Sequence, residues 1–190
     1  MKTGEIIFKF RGITPIPFLI VAIIMADPQQ GLVIFGGLLM FVGELLRLTG
    51  VSYVGPSTRT RELVAEKLIT NGPYAFVRNP VYLGNVLIYT GASILAGAWL
   101  PYLLYLVILF FSIQYGICVR YEEAYLEKVF GEDFIDYTHA VPRFFPRISP
   151  FPARGNEKPD WSAALLSERT TFLEILGYIL LIVIHYYFIG

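Results

Sequence analysis

Four long apolar runs dominate the chain, at residues 31–50, 81–100, 101–119 and 172–189. Each comes close to the roughly 20 predominantly apolar residues that a helix needs to cross a bilayer. A fifth run, 13–26, is shorter and carries Pro15 and Pro17. It is expected either to complete a span with help from residues 8–12 or to insert only in part. The pattern therefore predicts an all-α, polytopic membrane protein with about five transmembrane helices.

The polar segments between these runs set an orientation. Lys2, Lys9 and Arg11 precede the first run, and Arg59, Arg61, Lys67 and Arg78 lie between the second and third. Arg120, Lys128, Arg143, Arg147, Arg154, Lys158 and Arg169 lie between the fourth and fifth. The connectors 27–30 and 97–101 hold no basic residue. Basic loops stay in the cytoplasm, so the N-terminus is expected inside and the C-terminus outside. The polar blocks 51–79 and 120–170 then share the cytoplasmic face, and any chemistry is expected there.

Composition supports the membrane reading. Of 190 residues, 55% are hydrophobic and 16% aromatic, and the mean hydropathy is +0.58. Charged residues make up 16%, against about a quarter in soluble domains. The net charge is zero, which gives no ground for a nucleic-acid partner. Cys118 is the single cysteine, so no disulfide framework forms. No small-residue cleavage site follows the first apolar stretch, so no removed signal peptide is expected. No metal site is expected either.

Two polar clusters flank the third and fourth runs. In the first, Asn71-Gly72-Pro73 marks a turn. Asn79 and Pro80 form a helix start, with Asn79 as N-cap and Pro80 at the first helical position. A cation beside a helix N-terminus opposes the macrodipole, so Arg78 requires an anionic partner from the protein or from a ligand. Tyr74 and Tyr82 suit either an interfacial aromatic belt or ligand contact.

In the second cluster, the fourth helix is expected to run on through Glu122 and Glu123 to Gly131. Neighbouring helical residues point about 100° apart, so the two glutamates face different surroundings. Either could bind an ammonium or a ribose diol, or pair with Arg78. An amphipathic surface helix is expected after Phe130, and residues 144–159 read as an irregular interfacial segment. Glu44 and Arg47 lie three residues apart on one helix face, as a functional site or a self-satisfied, snorkelling pair. His185 is expected to take a packed or interfacial role, whereas His139 could accept a proton.

Taken in order, Leu68, Gly72, Tyr74, Arg78-Asn79-Pro80-Val81-Tyr82, Glu122-Glu123, Leu126, Phe130-Gly131, Tyr137 and Val141-Pro-Arg-Phe-Phe-Pro resemble a known family. It is the integral-membrane methyltransferases that include isoprenylcysteine carboxyl methyltransferase and the phospholipid N-methyltransferases. The resemblance covers residues 68–146. Its arginine–histidine–proline motif reads Arg-Asn-Pro here, and Asn79 cannot titrate as histidine does.

The resemblance implies S-adenosylmethionine as methyl donor, in a pocket on the cytoplasmic face. It implies a lipidic acceptor that enters from the bilayer, either an isoprenylcysteine-type carboxylate or a phospholipid amine. It assigns donor binding to Gly72, Tyr74, Arg78, Asn79, Pro80, Tyr82, Glu122 and Glu123. Arg78, Glu123 and Glu44 are the candidates for catalysis, with Glu44, held by Arg47, as base for an amine acceptor. Residues 1–67 would form an N-terminal hairpin and loop, 68–146 the methyltransferase core, and 147–190 a linker and last span. The competing readings are a non-enzymatic transporter subunit or scaffold, and a reductase on a related membrane fold.

Overall fold

A computed structural model of the protein describes residues 2–55, 63–152 and 157–188, so Arg59, Arg61 and Arg154 lie outside the described residues. Among the described residues the secondary structure is entirely helical. The helices are α1 (Lys2–Phe10), α2 (Ile16–Ile24), α3 (Gln30–Val54), α4 (Pro80–Ala96), α5 (Tyr102–Phe130), α6 (Glu132–Ala140) and α7 (Trp161–Phe188), with a short 3₁₀ turn at Gly72–Ala75.

Three of these, α3, α5 and α7, are long and apolar enough to cross a bilayer. The fourth apolar helix, α4, has 17 residues, about 26 Å at 1.5 Å per residue. Their outward faces carry Phe35, Leu38 and Phe41 on α3, Tyr105, Leu109 and Ile113 on α5, and Leu173, Leu176 and Leu180 on α7. An exposed apolar surface of this extent is stable only against lipid. The chain is an integral membrane protein.

The run at 13–26 is not a continuous span. Pro15 and Pro17 start a new helix, and α2 has only nine residues, about 14 Å, against a hydrocarbon layer of about 30 Å. The chain nevertheless traverses the bundle here in two pieces. Phe8 meets Tyr121 at 5.6 Å, Gln114 donates to the Arg11 carbonyl at 3.4 Å, and Phe18 meets Phe110 at 4.9 Å. At the far end the Asp27 amide donates to Ala96 O at 2.8 Å. The last helix also departs from expectation, because α7 begins at Trp161 and carries polar residues into the bundle.

The centre of the bundle is the antiparallel pair α3–α4, held by glycines spaced at seven residues. A Cβ on Gly36 would lie 2.5 Å from Gly91 O, and one on Gly43 would lie 2.7 Å from Gly84 O. Only hydrogen fits, so the two backbones touch. This is the small-residue packing that holds membrane helices together where lipid offers no hydrophobic drive.

The loops at one end are tied across one another. The Arg78 amide donates to Pro142 O at 3.0 Å, the Arg147 amide to Phe76 O at 2.9 Å, and the Phe151 amide to Ala75 O at 2.8 Å. The Asp160 amide reaches Ser52 O at 2.8 Å. Beneath this cap α6 folds back after Gly131 and buries Phe134, Tyr137 and Val141 against Leu68, Leu126 and Phe151. The two polar blocks thus occupy the same end of the bundle.

Candidate functional site

Under the cap lies a cavity of about 1140 Å³. Its rim includes Lys67, Arg78, Glu122, Glu123 and Lys158, and its inner end includes Met40, Ile88, Ala92, Ile175 and Tyr178. The rim residues come from loops and from helix turns near the cap, and the inner ones from mid-helix positions, where Arg47 and Glu174 are the charged exceptions.

Arg78 meets its expected anion within the protein. Its Nε donates to Glu123 Oε1 at 3.1 Å and its Nη2 lies 3.0 Å from the same oxygen. Its Nη1 donates to Thr138 O at 2.7 Å and to Val141 O at 2.8 Å. Arg78 therefore caps the last turn of α6 while pairing with α5, and most of its five N–H donors are committed. Arg143 grips the other side of Glu123, from Nε at 3.1 Å and Nη2 at 2.5 Å. That hydrogen-bonded pairing raises the Arg143 guanidinium above its ordinary pKa.

Asn79 departs from its expected role. Pro80 does open α4, but Asn79 makes no side-chain cap. Its amide instead donates to Arg143 O at 3.1 Å, because the 141–147 strap passes directly over the helix start. Gly72 has φ +57°, and a Cβ there would strike the Tyr53 ring at 2.4 Å. Its role is to let the turn pack, and it does not line the cavity.

Glu122 points elsewhere, as the helical offset requires. Its carboxylate lies beside the Tyr82 hydroxyl, with the Arg11 guanidinium within electrostatic reach. Tyr82 is buried against Tyr115, with ring centroids 4.9 Å apart. Tyr115, Phe111 and Tyr89 continue this aromatic wall, with Tyr89 stacked on Phe111 at 4.5 Å. Tyr82 is thus part of the cavity wall and not of a headgroup belt. Tyr74 also lines the cavity, and its carbonyl accepts the Tyr137 hydroxyl at 2.7 Å. Burial pushes both the Tyr74 and the Tyr137 hydroxyls well above the ordinary tyrosine range, so both stay protonated.

Glu44 and Arg47 do not snorkel, because α7 docks over them. Arg47 reaches Glu44 at 3.3 Å and Glu168 at 2.6 Å, and donates to Asn85. Thr171 adds a bond to Glu168 at 2.9 Å. Gly84 makes this reach possible, since a Cβ there would meet Arg47 Cγ at 2.6 Å. Arg47 lines the cavity, whereas Glu44 stands behind it. His139 is exposed, and neither His139 nor His185 lines the cavity.

A family model described as phospholipid methyltransferase matches residues 32–133, more than half of the chain. The chain belongs to the phospholipid methyltransferase family. Protein-S-isoprenylcysteine O-methyltransferase B of Arabidopsis thaliana is 28% identical over 121 residues, 60% of this chain and 59% of that protein. The protein-S-isoprenylcysteine O-methyltransferase of Schizosaccharomyces pombe is 34% identical over 115 residues, 56% of this chain and 46% of its own. The cobalt-zinc-cadmium resistance protein CzcN of Cupriavidus metallidurans is 33% identical over 82 residues, 43% of this chain and 37% of its own. The chain spans about half the length of these relatives. No solved structure matches it.

The family match contains Arg47, Arg78, Tyr82, Asn85, Tyr89, Tyr115, Glu122 and Glu123, and ends before Arg143, Glu168 and Glu174. Sequence reasoning missed Tyr89, Tyr115, Asn85 and Glu168. The one available signal was polar character inside apolar helices, where Asn85 and Glu168 stand out.

Proposed function

We propose that this protein is a membrane methyltransferase that uses S-adenosylmethionine to methylate a lipid-borne acceptor. The observation that carries the reading is a cavity joining a charged rim to a largely apolar inner end, in a chain that belongs to this family. Its volume of about 1140 Å³ exceeds the roughly 300–1,000 Å³ of ordinary small-ligand pockets, which leaves room for a donor and an acceptor head together. A water-soluble donor suits the rim, and a lipid suits the end where Met40, Ile88 and Ile175 lie.

The residues fit the donor's chemistry. Glu122, beside Tyr82, can accept from an ammonium or from ribose hydroxyls. Lys67 and Lys158 at the rim suit its carboxylate, together with whatever donor capacity Arg78 retains. Tyr74, Tyr82 and Tyr115 offer faces to a sulfonium. Asn79 and Pro80 line this wall, and Gly72 shapes it from behind. Arg78 and Glu123 hold the α5 end and the 141–147 strap in register, so most of their contribution is alignment.

When bound, the donor would supply an electrophilic methyl carbon on a positively charged sulfur, open to an acceptor lone pair. A carboxylate acceptor needs no base, whereas an ammonium must first lose a proton. Glu44 acts through Arg47 as a positioning residue. Glu44→Gln is expected to lower kcat while KM for the donor stays within about twofold.

The bias of basic residues towards the capped end supports a cytoplasmic position for it. Isothermal titration of the purified protein with S-adenosylmethionine tests the donor, and no heat at millimolar ligand would remove the reading. Lipid mass spectrometry with labelled methyl donor would then name the acceptor class.

A further inference from the structure

Glu174 sits in the middle of α7, a helix composed to cross the bilayer. Two contacts fix its level. Six residues before it, Glu168 holds Arg47, which also binds Asn85 of α4. Four residues after it, the Tyr178 hydroxyl donates to Ala92 O of α4 at 2.9 Å. Glu174 is therefore level with the α4 stretch between Asn85 and Ala92, and it lies within electrostatic reach of the Tyr89 hydroxyl.

Helical spacing places Glu174 at a boundary. Thr171, Ile175 and Tyr178 line the cavity, and so does Glu174. Leu173 and Leu176, on either side of it in sequence, face outward at 66% and 64% exposure. Glu174 is exposed, and among the described residues its side chain has no hydrogen bond or ion pair. An ionisable side chain at this depth is costly, and it persists where it faces a cavity and serves a function. Its position, between lipid-facing leucines and the inner end of the cavity, is where a lipid head would enter from the side.

We infer that Glu174 selects the acceptor, binding a cationic amine head at the inner end of the cavity and rejecting an anionic one. A carboxylate head would meet Glu174 as a like charge. Arg47, a turn or more nearer the cap, is already held by Glu44, Glu168 and Asn85, so it does not offer itself to an anion. The aromatic face of Tyr89 adds a second surface suited to a cationic nitrogen, whatever its number of methyl groups. Glu174 lies beyond the family match at 32–133, so acceptor choice here is a property of α7. The inference deepens the proposed methyltransferase reading and rests on it for the identity of the reaction.

The test uses the full chain in nanodiscs, with empty nanodiscs subtracted. Dodecylamine and dodecanoate are titrated into wild type, Glu174→Gln and Glu174→Lys, and S-adenosylmethionine is titrated in parallel. Wild type is expected to prefer the amine by about tenfold or more. Glu174→Gln should abolish that preference and Glu174→Lys reverse it, with donor affinity unchanged within about twofold. A merely structural role would move donor affinity and melting temperature as well. No preference in wild type, or a preference surviving in Glu174→Gln, overturns the inference and leaves the donor reading intact. A Glu174-dependent preference without donor binding sustains the amine site and removes the methyltransferase reading.

Discussion

Glu122 and Glu123 show how one peptide unit divides two tasks. Glu123 is enclosed by Arg78 and Arg143, while Glu122 turns to Tyr82 and the cavity. The Arg78 and Glu123 side chains are 10% and 14% exposed, and Arg143 is 39% exposed. Removing one partner of a buried pair costs about 3–5 kcal/mol, so Arg78→Ala should lower the melting temperature in detergent by roughly 10 °C. Arg143→Ala should cost no more than about 1 kcal/mol, since that partner is half solvated. Equal losses from both would show that the clamp is not centred on Arg78. Glu122→Gln should weaken donor binding by about tenfold or more, the scale of a charged hydrogen bond. An unshifted melting temperature in the same variant would separate that effect from folding. Of these residues, the sequence already demanded an anion for Arg78 and different surroundings for the two glutamates. It did not identify the second arginine, because Arg143 reaches Glu123 only after α6 has folded back.

At the scale of elements, the contact between α3 and α4 organises everything else. It rests on seven-residue glycine spacing, Gly36 and Gly43 against Gly91 and Gly84, small residues that let membrane helices approach closely. Gly43→Leu would drive its side chain into Gly84 O and Ile88, at 2.7 and 2.9 Å from the first added atom. Overpacking of this kind costs about 1–3 kcal/mol or more, and the variant should melt earlier and lose ligand binding. Gly37 has nothing within 4 Å, so Gly37→Ala should be neutral or stabilise by about 0.5–1 kcal/mol through helix propensity. If the two substitutions behave alike in a melting experiment, the glycine interface is not the organising contact. The N-terminal run shows the converse. Pro15 and Pro17 announced an irregularity, and the structure turns it into two short helices that share one traverse of the bundle.

For the whole molecule, the consequence is polarity. The capped end carries Lys67, Arg78, Arg143 and Lys158, and the far end carries the short connector around Gln29. Gln29 and Lys158 are both exposed, and Cys118 is buried, so single cysteines can report each side without much background. In right-side-out vesicles, Gln29→Cys should react with an impermeant maleimide and Lys158→Cys only after lysis. The opposite pattern would invert the assigned orientation and place the cavity rim outside the cell. Under the proposed function, the same axis would let one cavity take two very different ligands, a water-soluble donor at the charged rim and a lipid head at the deeper end lined by Met40, Ile88 and Ile175.

Hydrophobic run length and the placement of basic residues were enough to establish a helical membrane protein with its polar loops gathered at one end, because span length and loop charge are local, additive quantities. Turn chemistry at Asn71-Gly72-Pro73 and the helix start at Pro80 were legible for the same reason. Partner choice was not local. Arg47 finds Glu168 across 121 positions of sequence, Asn79 gives up its cap for the carbonyl of Arg143, and Glu174 becomes a cavity carboxylate only because α7 docks on α3 and α4. Those assignments depend on which helix faces meet, and a face is settled by packing against the rest of the bundle, which no stretch of sequence contains alone.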